Sequence, residues 1–223
     1  MKNNIIIKIK AWLFPNKCLI CGQYLKPTLF ICQSCSPLKA NVLPFNIEFK
    51  RNSKKLEVYT IYMYKDNYAR FIKRFKFKGK TSYARKFIGL TLQTLNDFSF
   101  EKYDMITYVP MTKDRVKQRG YNQSQLLANA LEKQINVPVS NALVKVKSNK
   151  IQHFLSPKER KENVKGVYEC QADVIGQNII LIDDIITTGA TISQCAKILY
   201  QNGANIVTGL CIAETPVSTQ KEE

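Results

Sequence analysis

Long apolar runs are absent from this sequence of 223 residues. No uninterrupted apolar stretch approaches the ~20 residues that a membrane-spanning helix needs. Near the N-terminus the apolar run from Ile5 to Ile7 ends at Lys8, which makes it too short for the core of a secretory signal. These absences predict a cytoplasmic protein without a membrane span, in which cysteine thiols stay reduced.

Acidic residues are also scarce. The chain has 17 Asp and Glu against 34 Lys and Arg, which gives a formal net charge of +17. A surface of this sign favours polyanions, so nucleic acid and phosphorylated ligands are the partners to consider. A compositional bias toward Lys, Asn and Ile explains the total charge equally well. The net charge therefore excludes no function by itself.

Two motifs of nucleotide-binding proteins are missing, namely the P-loop ending Gly-Lys-Ser/Thr and Gly-x-Gly-x-x-Gly. In their place, residues 179–191 combine an apolar run, two aspartates and the sequence Thr-Thr-Gly-Ala-Thr. The apolar run predicts a buried strand over 178–182, and the residues after it predict a helix over 191–202 with Gly203 just past its end. A further strand over 206–212 completes a unit that is typical of a parallel sheet with crossover helices.

The start of this predicted helix has the properties of a phosphate site. Backbone N–H groups at a helix N-terminus are unpaired, and the helix dipole adds positive potential there. The residues expected to bind the phosphate of a phosphorylated ribose, such as phosphoribosyl pyrophosphate, are Thr187, Thr188, Gly189, Ala190 and Thr191. Asp183 and Asp184 are the expected catalytic pair, accepting hydrogen bonds from the ribose 2- and 3-hydroxyls with Mg²⁺ bridging. An ordinary capped helix is the alternative interpretation.

Four cysteines near the N-terminus form two close pairs. Two residues separate the members of each pair, which is the spacing of a structural zinc site with four thiolate ligands. The predicted zinc ligands are Cys18, Cys21, Cys32 and Cys35. Zinc would then supply folding energy to a segment too small to fold alone. Reduced or disulfide-bonded cysteines are the alternative.

Basic residues concentrate between Lys50 and Lys86, where 13 basic residues stand against 2 acidic ones. Aromatic residues interleave with them, as in grooves that bind single-stranded nucleic acid. Four of the aromatics, however, have helical spacing and are expected to be core: Tyr64, Tyr68, Phe71 and Phe75. The residues predicted to contact nucleic-acid phosphates are Arg70, Lys73, Arg74, Lys76, Lys78 and Lys80.

The remaining elements are assigned from their local patterns. Strands are predicted over 58–64 and 104–109, and a helix is predicted over 124–135. Residues 145–160 are polar and lack periodicity, so a mobile loop is expected there. A linker is predicted over 36–49 because prolines interrupt that stretch.

The fuller pattern resembles the competence protein F (ComF) family, whose members are similar to type I phosphoribosyltransferases. Besides the segment 183–191, the resemblance is carried by Phe14-Pro15-x-x-Cys18-x-x-Cys21-Gly22, Cys32-x-x-Cys35, Val109-Pro110, Arg119-Gly120-Tyr121-Asn122-Gln123-Ser124 and Gln152-x-x-Leu155-Ser156-x-x-x-Arg160-x-x-Asn163-Val164. These motifs spread over residues 14–191. One small departure is Ile185, which stands where Val is more usual.

The resemblance implies a three-layer α/β fold of the type I phosphoribosyltransferase kind, with a parallel sheet and a small N-terminal zinc knuckle. Residues 1–48 would hold a lead, the knuckle and a linker, 49–215 the phosphoribosyltransferase-like domain, and 216–223 a C-terminal tail. A flexible lid is implied over 150–163, where the only histidine, His153, is expected to be a surface bystander. The residues expected to neutralise pyrophosphate are Lys113, Arg115 and Arg119, with solvated loop side chains as the alternative.

The resemblance also implies a function. The chain is expected to bind phosphoribosyl pyrophosphate and to act in natural transformation, handling internalised single-stranded DNA alongside other competence proteins. The alternative is an active phosphoribosyltransferase that transfers phosphoribosyl to a nitrogen acceptor in nucleotide metabolism. A regulator that binds phosphoribosyl pyrophosphate without chemistry is the third interpretation. No residue for recognising a base stands out, so the sequence leaves turnover open.

Overall fold

A computed structural model describes most of the chain. The described residues are 17–26, 31–36, 40–49, 53–77, 83–147 and 166–216. The strands in them are β1 (Asn41–Glu48), β2 (Ser53–Met63), β3 (Met105–Tyr108), β4 (Leu143–Lys145), β5 (Tyr168–Cys170), β6 (Asn178–Ile186) and β7 (Ile206–Glu214). The helices are α1 (Asp66–Phe77), α2 (Tyr83–Thr94), α3 (Lys113–Arg119), α4 (Gln123–Ile135) and α5 (Ala190–Gln201). None of these helices has the length and apolarity to cross a bilayer.

A five-stranded sheet organises these elements in the order β1-β2-β7-β6-β3. Neighbours among β2, β7, β6 and β3 are parallel, whereas β1 pairs with β2 in the antiparallel sense. Successive residues of a strand point to opposite faces. Ile180 and Ile182 accordingly pack against α1, α2 and α4, while Ile179 and Leu181 pack against α5 and the β4–β5 hairpin. The predicted three-layer α/β class with a mostly parallel sheet is therefore confirmed.

Strand β6 runs further than the apolar pattern predicts. The expected strand ends at Ile182, but β6 continues to Ile186 because β7 continues beside it, with Ile186 opposite Glu214. Both aspartates therefore lie near the carboxyl end of a paired strand. The parallel sheet thus fixes the backbone of Asp183 and Asp184 directly.

Strand β1 corrects the predicted linker. Asn41–Glu48 pairs with β2 along its whole length, from Asn41 opposite Thr60 to Glu48 opposite Ser53. Pro44 argues against a strand in the sequence, but proline is tolerated where a strand forms the edge of a sheet. The amide of Asn41 also donates to the buried carboxylate of Glu214 at 2.7 Å, which fastens β1 to β7.

The predicted loop over 145–160 also begins later than expected. Lys145 is the last residue of β4 and pairs with Tyr168 of β5. Strand pairing with a segment more than twenty residues further along the chain overrides the polar local pattern. Residues 148–160 of that predicted loop, His153 and the whole of the implied lid over 150–163 lie outside the described residues.

Helix α1 confirms two of the four predicted core aromatics outright. Phe71 and Phe75 are fully buried, and the Phe71 ring centroid lies 4.5 Å from that of Phe87 on α2. Tyr68 is half-buried and stacks on Tyr62 at 4.8 Å, while Tyr64 precedes the helix and packs against the same core. The aromatic stripe therefore holds α1 on the sheet and does not form a base platform.

The cysteine-bearing segment packs against the main domain. Cys18, Ile20 and Ile31 are buried in the same apolar cluster as Tyr62 of β2. The hydroxyl of Tyr68 donates to the carbonyl oxygen of Cys35 at 3.3 Å. The knuckle is thus packed on β2 and α1 and is not a separate unit.

Candidate functional site

The candidate ligand site lies at the carboxyl ends of the parallel strands, where open α/β sheets bind ligands. Gly189 is the N-cap residue of α5 and has φ +74°, a left-handed conformation. The backbone N–H of Ala190 donates to Oγ1 of Thr188 at 3.4 Å. The residues predicted to bind phosphate, 187–191, are therefore brought together in one tight turn at the start of a helix of twelve residues.

Gly189 is required at this turn for two reasons. Its positive φ is unfavourable for any residue with a Cβ. A Cβ at this position would also overlap the ring of Phe45, which approaches from β1. The edge strand that the sequence did not predict therefore packs directly on the turn that is predicted to bind phosphate.

The two aspartates are positioned by different donors. Oδ1 of Asp183 accepts from the hydroxyl of Ser124 at 3.0 Å and from the backbone N–H of Asp184 at 2.8 Å. Oδ1 of Asp184 accepts from the backbone N–H of Ile185 at 2.6 Å. Both carboxylates are partly exposed. They are thus held in fixed orientations at the mouth of the site and are accessible to a ligand.

Ser124 was missed as a site residue because its partner is 59 positions away in the sequence. It belongs to the polar motif at 119–124, of which Asn122, Gln123 and Ser124 are all buried. Asn122 caps α4 by accepting from the N–H of Ser124 at 3.0 Å, and its amide donates to the carbonyl of Val109 at 3.1 Å. The sequence signal that could have identified Ser124 is the run of polar residues at the start of a predicted helix. This motif connects the ends of β3 and β6.

The predicted pyrophosphate residues divide into three environments. Lys113 is exposed at the start of α3. Arg119 donates to Oε1 of Gln123 at 3.3 Å, so its guanidinium helps to hold the motif at 119–124 in place. Arg115 is half-buried, and its charge helps burial to lower the pKa of Lys145, a residue that the sequence placed in a loop.

Lys145 and Tyr168 are further site neighbours that the sequence did not reveal. The ammonium of Lys145 lies 5.5 Å from the centroid of the Tyr168 ring. Tyr168 lies in the same buried cluster as Ala190 and Ile192, at the start of α5. Burial raises the pKa of Tyr168, and the nearby Cys195 and Asp183 add to that rise. This hydroxyl therefore stays protonated at neutral pH.

The candidate metal centre is formed by the four predicted cysteines. Their sulfurs lie within 4.8 Å of one another, and those of Cys21 and Cys32 are 3.7 Å apart. Tetrahedral zinc with Zn–S bonds of about 2.3 Å places sulfurs about 3.8 Å apart, so the arrangement fits such an ion. Burial raises the pKa of Cys18, but hydrogen bonds from the backbone of Cys21, Cys32 and Ile20 outweigh it and lower that pKa to about 7. The set could hold a metal ion.

Tyr62 lies in the same buried cluster as Cys18, Cys32 and Cys35. Its hydroxyl is buried, and it has no hydrogen-bond partner within the described part of the chain. Burial raises its pKa, with further contributions from Tyr68, Cys18 and Cys35.

The predicted nucleic-acid residues are described only in part. Arg70 and Lys73 lie on α1 and are exposed to solvent. The side chains of Arg74 and Lys76, and all of Lys78 and Lys80, lie outside the described residues. The structure therefore provides two accessible cations on the outer side of a helix whose inner side is buried.

Comparison with known proteins gives a consistent set of relatives. No family model matches the chain. The chain is 27% identical to the DNA utilization protein YhgH of Escherichia coli K12 over 204 residues, which cover 89% of this chain and 90% of the relative. It is 27% identical to competence protein ComFC of Bacillus subtilis, covering 83% of this chain and 72% of the relative. Competence protein F of Haemophilus influenzae is 31% identical over 59% of this chain and 61% of that protein.

Two solved structures are also similar. One is a purine phosphoribosyltransferase from Pyrococcus horikoshii, with 18% identity and a TM-score of 0.38 over 60% of this chain and 73% of that one. The other is a hypoxanthine phosphoribosyltransferase from Staphylococcus aureus, with 12% identity and a TM-score of 0.38 over 61% of this chain and 65% of that one.

Proposed function

From the homology of this chain to the competence protein F family, we propose that it binds phosphoribosyl pyrophosphate and acts in natural transformation, where it handles internalised single-stranded DNA. The observation that carries the ligand proposal is the juxtaposition of two things at one end of the sheet. One is the turn at 187–191, which begins α5 at Gly189. The other is the pair Asp183 and Asp184, oriented by Ser124 and by the backbone.

The roles of the residues follow from their chemistry. Backbone N–H groups at the start of α5 and the hydroxyls of Thr187, Thr188 and Thr191 would bind the 5-phosphate. The carboxylates of Asp183 and Asp184 would accept hydrogen bonds from the ribose hydroxyls. Mg²⁺, when bound, would neutralise the pyrophosphate. The pyrophosphate would also be neutralised by Lys113, Arg115 and Arg119.

The proposed DNA binding is supported by the names of the relatives and by the positive charge of one stretch of the chain. The relatives are called a DNA utilization protein and competence proteins. Two exposed cations on α1 are Arg70 and Lys73. They belong to the stretch from Lys50 to Lys86, which has 13 basic and 2 acidic residues. Sequence-independent binding of single strands depends on such cations. Zinc at the four cysteines would hold α1 against the domain through the knuckle.

The alternative is an active phosphoribosyltransferase. A nitrogen nucleophile would attack C1 of the ribose, the C1–O bond to pyrophosphate would break, and pyrophosphate would leave with the bonding electrons. The observation that favours it is the orientation of Asp183 by the Ser124 hydroxyl and the backbone N–H of Asp184, since such catalysis depends on positioning. A regulator that binds the same ligand without turnover needs the same residues.

Ligand binding is tested by calorimetric titration of phosphoribosyl pyrophosphate with Mg²⁺. Wild type should bind, and Asp183→Asn with Asp184→Asn should weaken binding at least ~10-fold, because hydrogen bonds to a charged partner are lost. Asp97→Asn, at an exposed position after α2, is the matched control. Absence of binding to wild type would remove the ligand proposal. Pyrophosphate release over a panel of bases then separates an enzyme from a regulator.

A further inference from the structure

One aromatic side chain is exposed on the surface of the knuckle. The sequence has 11 tyrosines, and all of them lie in the described part of the chain. Tyr24 alone among them is exposed, at 65%. Leu25, the next residue, packs against the buried cluster that holds the knuckle on the domain. Tyr24 thus faces solvent at a place where its neighbour anchors the backbone.

The backbone that carries Tyr24 is held in a tight loop. Lys17 and Tyr24 form an antiparallel bridge. Inside it, the backbone N–H of Cys18 donates to the carbonyl of Gln23 at 2.7 Å, and the N–H of Gly22 donates to the carbonyl of Cys18 at 2.9 Å. The first cysteine pair lies in this loop, so a metal ion at the cluster would stabilise it further. The ring is therefore presented from a fixed position.

Lysines flank the ring of Tyr24. The ammonium of Lys17 lies 4.7 Å from the ring centroid, over one face. Because the side chain is 65% exposed, the other face is open to solvent. Lys26, two residues further along, is exposed as well. The first 47 residues of the sequence contain six lysines and no Asp or Glu, so no acidic side chain of this segment opposes these cations.

The surroundings of Tyr24 distinguish between two kinds of partner. Protein-binding surfaces are marked by contiguous apolar patches. Among the described residues of the knuckle, Tyr24 is the one large apolar side chain that is exposed. A single ring between cations instead suits nucleic acid, in which a base stacks on the ring and ammonium groups contact the phosphates. Stacking of this kind needs an unpaired base, so the strand must be single.

Resting on the DNA binding proposed above, we propose that Tyr24 stacks on a base of single-stranded DNA while Lys17 and Lys26 contact the adjacent phosphates. The knuckle then forms part of the DNA interface itself. Its position agrees with the rest of that interface, because the hydroxyl of Tyr68 on α1 donates to the carbonyl of Cys35 at 3.3 Å. The knuckle is thus packed on the helix that bears the cations predicted to contact DNA.

Strands with and without bases test the proposal. Fluorescence anisotropy at low salt compares wild type with Tyr24→Ala on a labelled single-stranded oligonucleotide of mixed sequence and on a strand of the same length built from abasic units. Tyr24→Ala should weaken binding to the natural strand roughly 5- to 100-fold, the loss expected for one stacked base. On the abasic strand both proteins should bind alike, because the phosphate contacts remain. Tyr24→Phe and Tyr24→Trp should keep the affinity of wild type.

Further variants control for charge and folding. Gln23→Ala, at the exposed neighbouring position, should match wild type on both strands. Lys17→Gln combined with Lys26→Gln should weaken binding to both strands and reduce the slope of log K against log salt by roughly 0.7 for each lost phosphate contact. Tyr24→Leu, which keeps an apolar side chain without a ring, should lose affinity as Tyr24→Ala does. Metal content and melting temperature should equal those of wild type in the Tyr24 variants, because the ring is exposed.

The outcomes separate this inference from the proposed function. If wild type binds the natural strand and Tyr24→Ala binds it equally well, the inference is wrong and the proposed DNA binding stands. The same conclusion follows if Tyr24→Ala loses as much affinity for the abasic strand as for the natural one. If folded wild type binds neither strand at low salt, the inference and the proposed DNA binding are both wrong.

Discussion

The hydroxyl of Ser124 donates a hydrogen bond of 3.0 Å to Oδ1 of Asp183, which joins the start of α4 to the carboxyl end of β6. Ser124 is 4% exposed, so the donor is shielded from water. A charge-assisted hydrogen bond in such a place fixes the carboxylate in one orientation before any ligand arrives. The proposed ribose site is therefore preorganised by a residue outside the turn at 187–191.

Removal of this donor should be measurable. Ser124→Ala leaves Asp183 without its side-chain partner, and hydrogen bonds to charged groups contribute about 1.5–3 kcal/mol. We expect affinity for phosphoribosyl pyrophosphate to fall roughly 10-fold or more, by calorimetric titration with Mg²⁺ present. Ser99→Ala, at an exposed position between α2 and β3, should bind like wild type. Unchanged affinity in Ser124→Ala would show that the backbone alone orients Asp183.

Gly189 and Gly120 form a matched pair for a stability test. Both have positive φ, but a Cβ at Gly189 would overlap Phe45, whereas a Cβ at Gly120 meets nothing within 4 Å. Gly120→Ala should cost about 1–2 kcal/mol from backbone strain, and Gly189→Ala should cost more because the ring must also move. Urea denaturation measures both, and equal losses would contradict the overlap. The extra cost should shrink when Phe45→Ala accompanies Gly189→Ala.

Metal removal should destabilise the N-terminal half of the protein. The sulfurs of Cys18, Cys21, Cys32 and Cys35 lie within 4.8 Å of one another, so we expect one zinc ion per chain by elemental analysis. Chelation should lower the melting temperature, because metal affinity contributes folding energy. Cys21→Ser should abolish zinc binding, and Cys170→Ser, outside the cluster, should not. A chain that binds no zinc after purification and reconstitution would overturn the metal site.

The basic side of α1 should determine the salt dependence of DNA binding. Replacing Arg70 and Lys73 with Ala should weaken binding to single-stranded DNA and reduce the slope of log K against log salt by roughly 0.7 for each lost phosphate contact. Fluorescence anisotropy at several salt concentrations measures the slope. The control replaces two exposed lysines elsewhere, Lys117 and Lys133, and should leave the slope nearly unchanged. Equal effects from both pairs would indicate that only the total charge matters.

Lys145 should give the free protein a characteristic pH dependence. Its folded-state pKa is about 8, below the ordinary 10.5, so between these values the unfolded chain binds more protons and stability rises with pH. Lys145→Met lacks this rise. The free energy of unfolding of Lys145→Met minus that of wild type should therefore be largest below pH 8 and should decrease toward pH 9.5. Urea denaturation across this range measures the difference, with Lys147→Met as control; a difference independent of pH would contradict the shift.

The strand and helix that flank the candidate phosphate site could be predicted because their signals are local. An apolar run predicts β6, and Gly203 follows the end of α5 at φ +96° as expected. The clustering of the four cysteines could be predicted for the same reason, since spacing within a short segment decides whether sulfurs can meet. These features need no knowledge of which distant segments pair.

The features that were missed depend on distant pairing. Strand β1 could not be predicted because its stability comes from β2 and from Glu214, while its own sequence contains Pro44. Lys145 was assigned to a loop because only its pairing with Tyr168 makes it a strand residue. Single-sequence patterns report local preference, whereas these residues owe their positions to tertiary contacts.

Strand β1 also bears on how the chain can be shortened. A chain that began at residue 49 would look sensible from the sequence, but it would leave the long edge of β2 without its antiparallel partner. It would also remove Asn41, one of two donors to the Glu214 carboxylate, and the Phe45 ring that packs on Gly189. Unpaired strand edges promote association between molecules. Residues 41–48 thus cover the edge of β2 against pairing with another molecule. The folded domain therefore begins upstream of residue 49.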